Sequence, residues 1–242
     1  MIKINSFSSF FVANWKLNGN LKFIDEFIDS LKVSNDKSKC IVICPTAIHL
    51  DYLRHKKNNF YVGAQNVSEH KEGAYTGEIS CNALSDLNIE FCILGHSERR
   101  KLFNETNSEV CLKSSRVIEY NIVPIICIGE TLEEKENGKT NDVLSKQLEE
   151  SIPKSSNSEN TIIAYEPVWA IGTGLTPTLK EINKTHEFLK NHNPKFLNYK
   201  ILYGGSVKAN NAKEIVSLSN VDGALIGGSS LKSEDFTKII EY

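Results

Sequence analysis

In the stretch AYEPVWAIGTG, Ala164 to Gly174, a carboxylate ends an apolar run and is followed by Pro167, Trp169 and two glycines. Glu166 could be an ordinary surface carboxylate beside a turn that Gly172 and Gly174 let reverse. It could equally be a general base with a lid behind it, because a stiff proline start and a glycine tip suit a loop that swings as a unit. Other groups with chemical potential are Asn14 and Lys16 in ANWKLNG, His96 in GHSERR, Glu130 in CIGE, Ser206 in YGGSV and the pair Gly227-Gly228 in LIGGSSL. A neutral imidazole can donate to a substrate oxygen, a lysine can supply a fixed positive charge, and paired glycines let backbone N–H groups approach an anion. Glu130 and Glu166 could also act as the two carboxylates of a glycosidase.

Such groups act together only if the fold gathers them. Eight short runs rich in β-branched and aromatic residues recur along the chain: FFVAN at 10–14, CIVIC at 40–44, FYVGA at 60–64, FCILG at 91–95, VPIICIG at 123–129, TIIAY at 161–165, KILYG at 200–204 and ALIGG at 224–228. They are continuously apolar rather than alternating, which suits strands covered on both faces. Helical spacing intervenes at Ile24, Phe27, Ile28 and Leu31, and again at Ile182, His186 and Leu189, where Thr178 and Glu181 make a capping box. Eight strand–helix units with no break in composition point to an α/β fold, a closed (β/α)8 barrel in a single domain over 1–242, in preference to an open doubly wound sheet.

In such a barrel the chemistry belongs where the strands end. Asn14 and Lys16 follow the first run, Gln65 and Asn66 the third, His96 the fourth, Glu130 the fifth, Glu166 the sixth and Ser206 the seventh, and Gly227-Gly228 closes the eighth. Ser97 reads as the N-cap of a helix, so His96 would lie at its positive end, which opposes protonation of the ring. Glu98 is expected to pair with Arg99 or Arg100 and hold that loop. Elsewhere Lys16 would be a solvated lysine and His96 a satisfied structural histidine; strand ends at a barrel mouth make them a cation for an anionic ligand and a donor. Glycine pairs after the last two strands suit a phosphate, and neither is a dinucleotide or ATP motif.

Bulk properties narrow the ligand. Twenty-eight basic against thirty acidic residues give a formal charge of −2, so no global field favours nucleic acid or an anionic membrane. No apolar run approaches the roughly twenty residues of a membrane span, and the N-terminal stretch reads as the first strand rather than a leader. Six cysteines, Cys40, Cys44, Cys81, Cys92, Cys111 and Cys127, form no C-x-x-C pair and read as buried reduced thiols, which implies a cytoplasmic setting. The segments at 133–139 and 153–160 read as short loops or solvated helix ends, and the long connection 66–80, with Tyr75 and two glycines, as a contact loop.

With ANWKLNG, GHSERR, CIGE, AYEPVWAIGTG, YGGSV and IGGSSL in that order, the chain resembles the triosephosphate isomerase family. The resemblance implies interconversion of dihydroxyacetone phosphate and glyceraldehyde 3-phosphate through an enediolate, in glycolysis and gluconeogenesis, without cofactor or metal. By the same resemblance Glu166 takes the proton beside the carbonyl, neutral His96 shuttles protons between the oxygens, and Asn14 and Lys16 stabilise the developing negative charge. Ser97 and Glu98 belong to the same cluster. Backbone N–H groups of Gly172, Ser206, Gly227 and Gly228 would hold the phosphate, and Pro167 to Thr173 would close over it. The loop 66–80, including Thr76, would insert beside the active site of a second subunit, giving a homodimer. Two departures stand out: Leu175-Thr176-Pro177 replaces the common Lys-Thr-Ala at the far lid hinge, and Ser229 replaces the usual alanine after the glycine pair. A phosphate sensor on the same barrel would have no need to keep Glu166, His96 and a lid together.

Overall fold

Each apolar run becomes a strand because its two faces both meet apolar partners. The computed structural model describes residues 2–33, 35–171 and 175–242. The strands are β1 (Ser9–Asn14), β2 (Lys39–Cys44), β3 (Tyr61–Ala64), β4 (Phe91–Leu94), β5 (Val123–Ile128), β6 (Ile162–Tyr165), β7 (Lys200–Tyr203) and β8 (Gly223–Ile226). Every neighbouring pair is parallel, and β8 pairs with β1 to close the barrel. Two separate apolar clusters occupy alternate positions along these strands. Phe10, Val12, Cys40, Val42, Phe91, Ile93, Ile125, Ala164, Leu202 and Leu225 form one and fill the barrel. Phe11, Ala13, Ile41, Ile43, Val62, Leu94, Ile126, Ile163, Ile201 and Ile226 form the other with apolar residues of the surrounding helices. Since a strand shows alternate residues to opposite faces, two buried faces erase the polar alternation.

The helices between the strands are α1 (Leu21–Ser30), α2 (Leu50–His55), α3 (Cys81–Asp86), α4 (Ser97–Leu102), α5 (Asn107–Glu119), α6 (Leu132–Glu136), α7 (Thr140–Ser151), α8 (Leu179–Asn191), α9 (Ala212–Val216) and α10 (Ser233–Ile240). Ile24 and Phe27 of α1 and Ile182, His186 and Leu189 of α8 are buried as the spacing requires, whereas Ile28 is half-buried and Leu31 follows the end of α1, both packed against the same apolar cluster. The Thr178–Glu181 capping box opens α8, and two further boxes, Thr106–Glu109 and Thr131–Glu134, open α5 and α6. The segment 133–139 therefore contributes to a short helix of its own. The N-terminal segment differs from expectation as well: it is not all strand, since a 3-10 turn at Ile4–Ser6 precedes β1 and puts Ile4 in the cluster that fills the barrel.

Closure of the ring makes one strict demand. Phe10 lies opposite Gly223 at the β1–β8 seam, and a Cβ on Gly223 would sit 1.9 Å from the Phe10 carbonyl oxygen. Its φ of +140° is also one that side chains rarely allow. All six cysteines are free thiols, and five are buried; Cys111, half-buried on α5, departs from the expected burial. Burial pushes the Cys81 thiol up to about 11 and the Cys40, Cys44, Cys92 and Cys127 thiols higher still. Among the described residues no helix is long and apolar enough to cross a membrane.

Candidate active site

Asn14, Lys16, His96 and Glu166 meet at the C-terminal mouth of the barrel. They line one cavity of about 360 Å³ together with Gly204, Gly205, Ser206, Gly227, Gly228 and Ser229. That volume lies at the small end of ligand sites, which run from roughly 300 to 1,000 Å³. A ligand of a few carbons with one phosphate is the right scale. Gly172 falls outside the described residues.

Glu166 is the residue just past β6 and is 2 % exposed. Its Oε1 accepts a hydrogen bond from His96 Nε2 at 3.0 Å, and its Oε2 accepts from the Ser97 backbone N–H at 3.0 Å. Burial alone would push its carboxyl up. The charge and hydrogen bond of His96, the Ser97 N–H and the charge of Lys16 outweigh burial and hold it below the usual carboxylate value. The group is therefore ionised and parked on donors.

His96 follows β4 by one residue beyond Gly95 and is 6 % exposed. Spacing alone favours Ser97 as the N-cap of α4; in the structure His96 itself is the cap, its Nδ1 accepting from the Glu98 backbone N–H at 3.2 Å, and Ser97 is the first helical residue. A histidine can cap here because an unprotonated ring nitrogen accepts like a side-chain oxygen. The bond also fixes the tautomer. In a neutral ring the nitrogen that takes the Glu98 N–H has no proton of its own, so the proton sits on Nε2, facing Glu166. Burial pulls the imidazole down, but the charge and hydrogen bond of Glu166 outweigh it and leave the ring above its ordinary value. Glu166 thus opposes the helix end and the cap for as long as it stays on Nε2.

Lys16 follows β1 in a left-handed conformation with φ 52°. Such a conformation costs a non-glycine residue on the order of 1–2 kcal/mol and must be held by neighbours. Trp15 is an anchor: it is 1 % exposed, packs edge-on against Phe23 and Phe27 and donates from Nε1 to the Ser230 carbonyl at 3.0 Å. Asn14 Oδ1 accepts from the Lys16 N–H at 3.1 Å. Lys16 Nζ pairs with Glu98 Oε1 at 2.5 Å. Glu98 therefore reaches across to Lys16 instead of pairing with its own arginines. Arg99 pairs with Glu105, and Arg100 donates to the carbonyls of Gly95 and Cys127 and to Asn107 and Ser151.

Glu130 takes no part in the cavity. It is 1 % exposed, and its Oε1 accepts from Tyr165 Oη at 3.1 Å and Trp169 Nε1 at 2.8 Å. Burial pushes its carboxyl up despite those bonds. It ties the residues just after Glu166 to the end of β5, so the two carboxylates do not form a facing pair. Three cavity features went unread in the sequence. Gly204 leaves room for the Glu166 stem, Tyr203 puts its hydroxyl beneath Gly205, and Lys208 stands in the wall. The glycine pair in YGGSV was the available signal for the first two; nothing in the sequence marked Lys208.

Residues 9–242 match the triosephosphate isomerase family. The chain is 42 % identical over 239 residues to a triosephosphate isomerase of Francisella tularensis subsp. mediasiatica, covering 95 % of this chain and 94 % of that protein. A triosephosphate isomerase of Clostridium tetani is 42 % identical over 245 residues with the same coverage, and one of Francisella philomiragia subsp. philomiragia 41 % over 239. Nearly whole-chain similarity, on a closed barrel whose mouth gathers Glu166, His96, Lys16 and Asn14, leads to one assignment: the chain belongs to the triosephosphate isomerase family.

Proposed function

We propose that this chain interconverts dihydroxyacetone phosphate and D-glyceraldehyde 3-phosphate, as a single catalytic domain, with Glu166 as the base. The observation that carries the reading is the shared cavity: an ionised buried carboxylate, an imidazole whose Nε2 faces it while Nδ1 takes the Glu98 N–H, a lysine and two glycine-bearing loops face one small space. Glu166 leaves Ser97 and His96, turns to the substrate carbon beside the carbonyl and removes a proton. The vacated Nε2–H of His96 then points to the substrate oxygens, where it donates to the charge that grows in the enediolate and carries protons between them. Losing Glu166 as a neighbour also removes what raised the imidazole, so the ring stays neutral when it is needed as a donor.

Lys16 supplies positive charge at the same oxygens. Asn14 has its Oδ1 engaged by the Lys16 N–H and meets the substrate through its Nδ2 donors. Each preorganised donor of this kind is worth roughly 3–4 kcal/mol to a developing oxyanion. Ser206, Gly227 and Gly228, with Gly172, are assigned to the phosphate through their backbone N–H groups, and Pro167 to Thr173 to the lid that keeps water from the enediolate. Ser97 and Glu98 support the set by holding Glu166 and Lys16 between turnovers.

The decisive experiment is a coupled assay on purified protein in both directions. Conversion of either triose phosphate supports the assignment, and none from a folded protein sinks it. The second subunit is part of the same proposal. Leu17, Leu102 and Phe103, 94, 66 and 66 % exposed, line one cavity with Gly77, Glu78 and Ile79 of the loop 66–80, and Tyr75 and Thr76 of that loop are exposed. Covering that apolar face is the gain that a homodimer offers. Sedimentation at micromolar concentration should give twice the chain mass, and a monomer would refute the insertion of 66–80. The free, buried thiols favour a reducing, cytoplasmic setting.

A further inference from the structure

We infer that Gln65 is the positioning residue that sets Lys16 for the reaction. Its Nε2 lies between two carbonyl oxygens and donates to both, to Lys16 at 2.9 Å and to Cys44 at 2.9 Å. The first belongs to the strained turn after β1 and the second to the end of β2, so one amide from the end of β3 ties three strand ends together. Lys16 needs this. Its backbone is left-handed, a region that lysine leaves readily when nothing holds it, and its N–H and C=O are held by the side chains of Asn14 and Gln65 respectively. Release of the carbonyl would let the peptide relax toward the right-handed region and carry the side chain away from Gly227 and Glu98, which it now lies against.

The residue type follows from the acceptors. Two converging carbonyls call for two donors on one atom and no acceptor facing them, which an amide NH2 supplies without charge. A glutamate of the same shape would set oxygen against oxygen. A second cation there would compete with Lys16 for the anion. Gln65 lines the neighbouring cavity beside Lys16 and does not line the one that holds Glu166, so its effect passes through Lys16.

This inference rests on the proposed role of Lys16 as the cation facing a phosphorylated substrate. Gln65→Met keeps the length and removes both donors. In the intact protein it should leave the thermal midpoint close to that of the parent and lower kcat/KM by about 10- to 100-fold, the effect of a reactive group displaced by about 1 Å, with much of the change in KM. Binding of inorganic phosphate, followed by phosphorus NMR, should weaken with it. The same substitution made on Lys16→Met should weaken phosphate binding no further. Gln65→Glu keeps shape and polarity should the methionine variant fold poorly; it should lose activity near pH 8 and regain part of it on acidification, as a protonated carboxyl again donates. Parent-like kinetics in both variants, or an equal loss with and without Lys16, overturns the inference. A parent protein that does not isomerise triose phosphates would instead overturn the proposed function, and the phosphate cycle still reads the Gln65–Lys16 coupling.

Discussion

Gly204→Ala should disable Glu166, the proposed base, without unfolding the barrel. A Cβ on Gly204 would lie 2.8 Å from Glu166 Cγ, 3.2 Å from the Tyr165 carbonyl oxygen and 3.6 Å from Glu166 Oε1. Carbon–carbon contacts settle at roughly 3.5–4.0 Å, so the methyl intrudes by about 0.7–1.2 Å. The Tyr165 oxygen cannot yield, because it accepts the Gly204 N–H at 2.7 Å in the junction of β6 and β7. The Glu166 stem must yield instead, moving the carboxylate by about 1 Å. A base displaced that far costs about 100-fold in rate, or roughly 2.7 kcal/mol of barrier. Kinetics of triose phosphate interconversion, with a thermal midpoint on the same preparation, would measure it. Gly228→Ala is the contrast: its methyl would meet nothing within 4 Å, so the fold should tolerate it and any loss should fall on KM through the phosphate site. Parent-like kcat/KM in a folded Gly204→Ala protein would show that Glu166 is not held where its stem touches Gly204, and the assignment of the base would fall with it.

Three other outcomes test separate parts of the molecule. Glu166→Asp withdraws the carboxylate by about 1 Å and should cost about 100-fold in kcat/KM, whereas retention of full activity would identify another base. His186 is buried with Nδ1 donating to the Asn220 carbonyl and Nε2 unpartnered, and burial lowers its pKa to about 4. The folded state keeps the ring neutral while the unfolded chain takes a proton below pH 6.5; its contribution is complete above that pH and lost as pH falls toward 4, about 3 kcal/mol in all. Urea titrations from pH 7.5 to 4 should show that His186→Gln flattens this slope, and an unchanged slope would contradict it. Glu105 lies between Arg99 and the buried Lys113, so Glu105→Ala strands a buried ammonium and should destabilise by about 3–5 kcal/mol in the same titrations.

Much of the molecule was legible in one dimension because strand and helix formation depend on local pattern. FCILG and TIIAY are apolar on both faces, and only a sheet covered on both sides accommodates that. Polar residues placed just after such runs, Asn14, His96, Glu166 and Ser206, marked the mouth of the barrel, since parallel strands all end on the same side. The partners of those residues were not legible. Glu98 sits next to two arginines in the chain but takes Lys16, 82 residues away, and Glu130 ends the strand beside that of Glu166 yet bonds Trp169 and Tyr165. Capping of α4 by His96 instead of Ser97 depends on a ring rotamer, which no spacing encodes.

The sequence by itself determined the eight-unit rhythm, the side of the barrel on which chemistry occurs and the residue types present there, because hydrophobic period and strand polarity are properties of the chain. Tertiary structure alone decided how the site is charged and aimed. Glu166 is ionised because His96 and Ser97 meet it, His96 turns Nε2 to Glu166 because the Glu98 N–H occupies Nδ1, and Lys16 keeps its left-handed turn because Asn14 and Gln65 hold its peptide groups. The physical reason is range: hydrogen bonds and ion pairs act over about 3 Å, and only closure of the ring brings residues tens of positions apart within that distance.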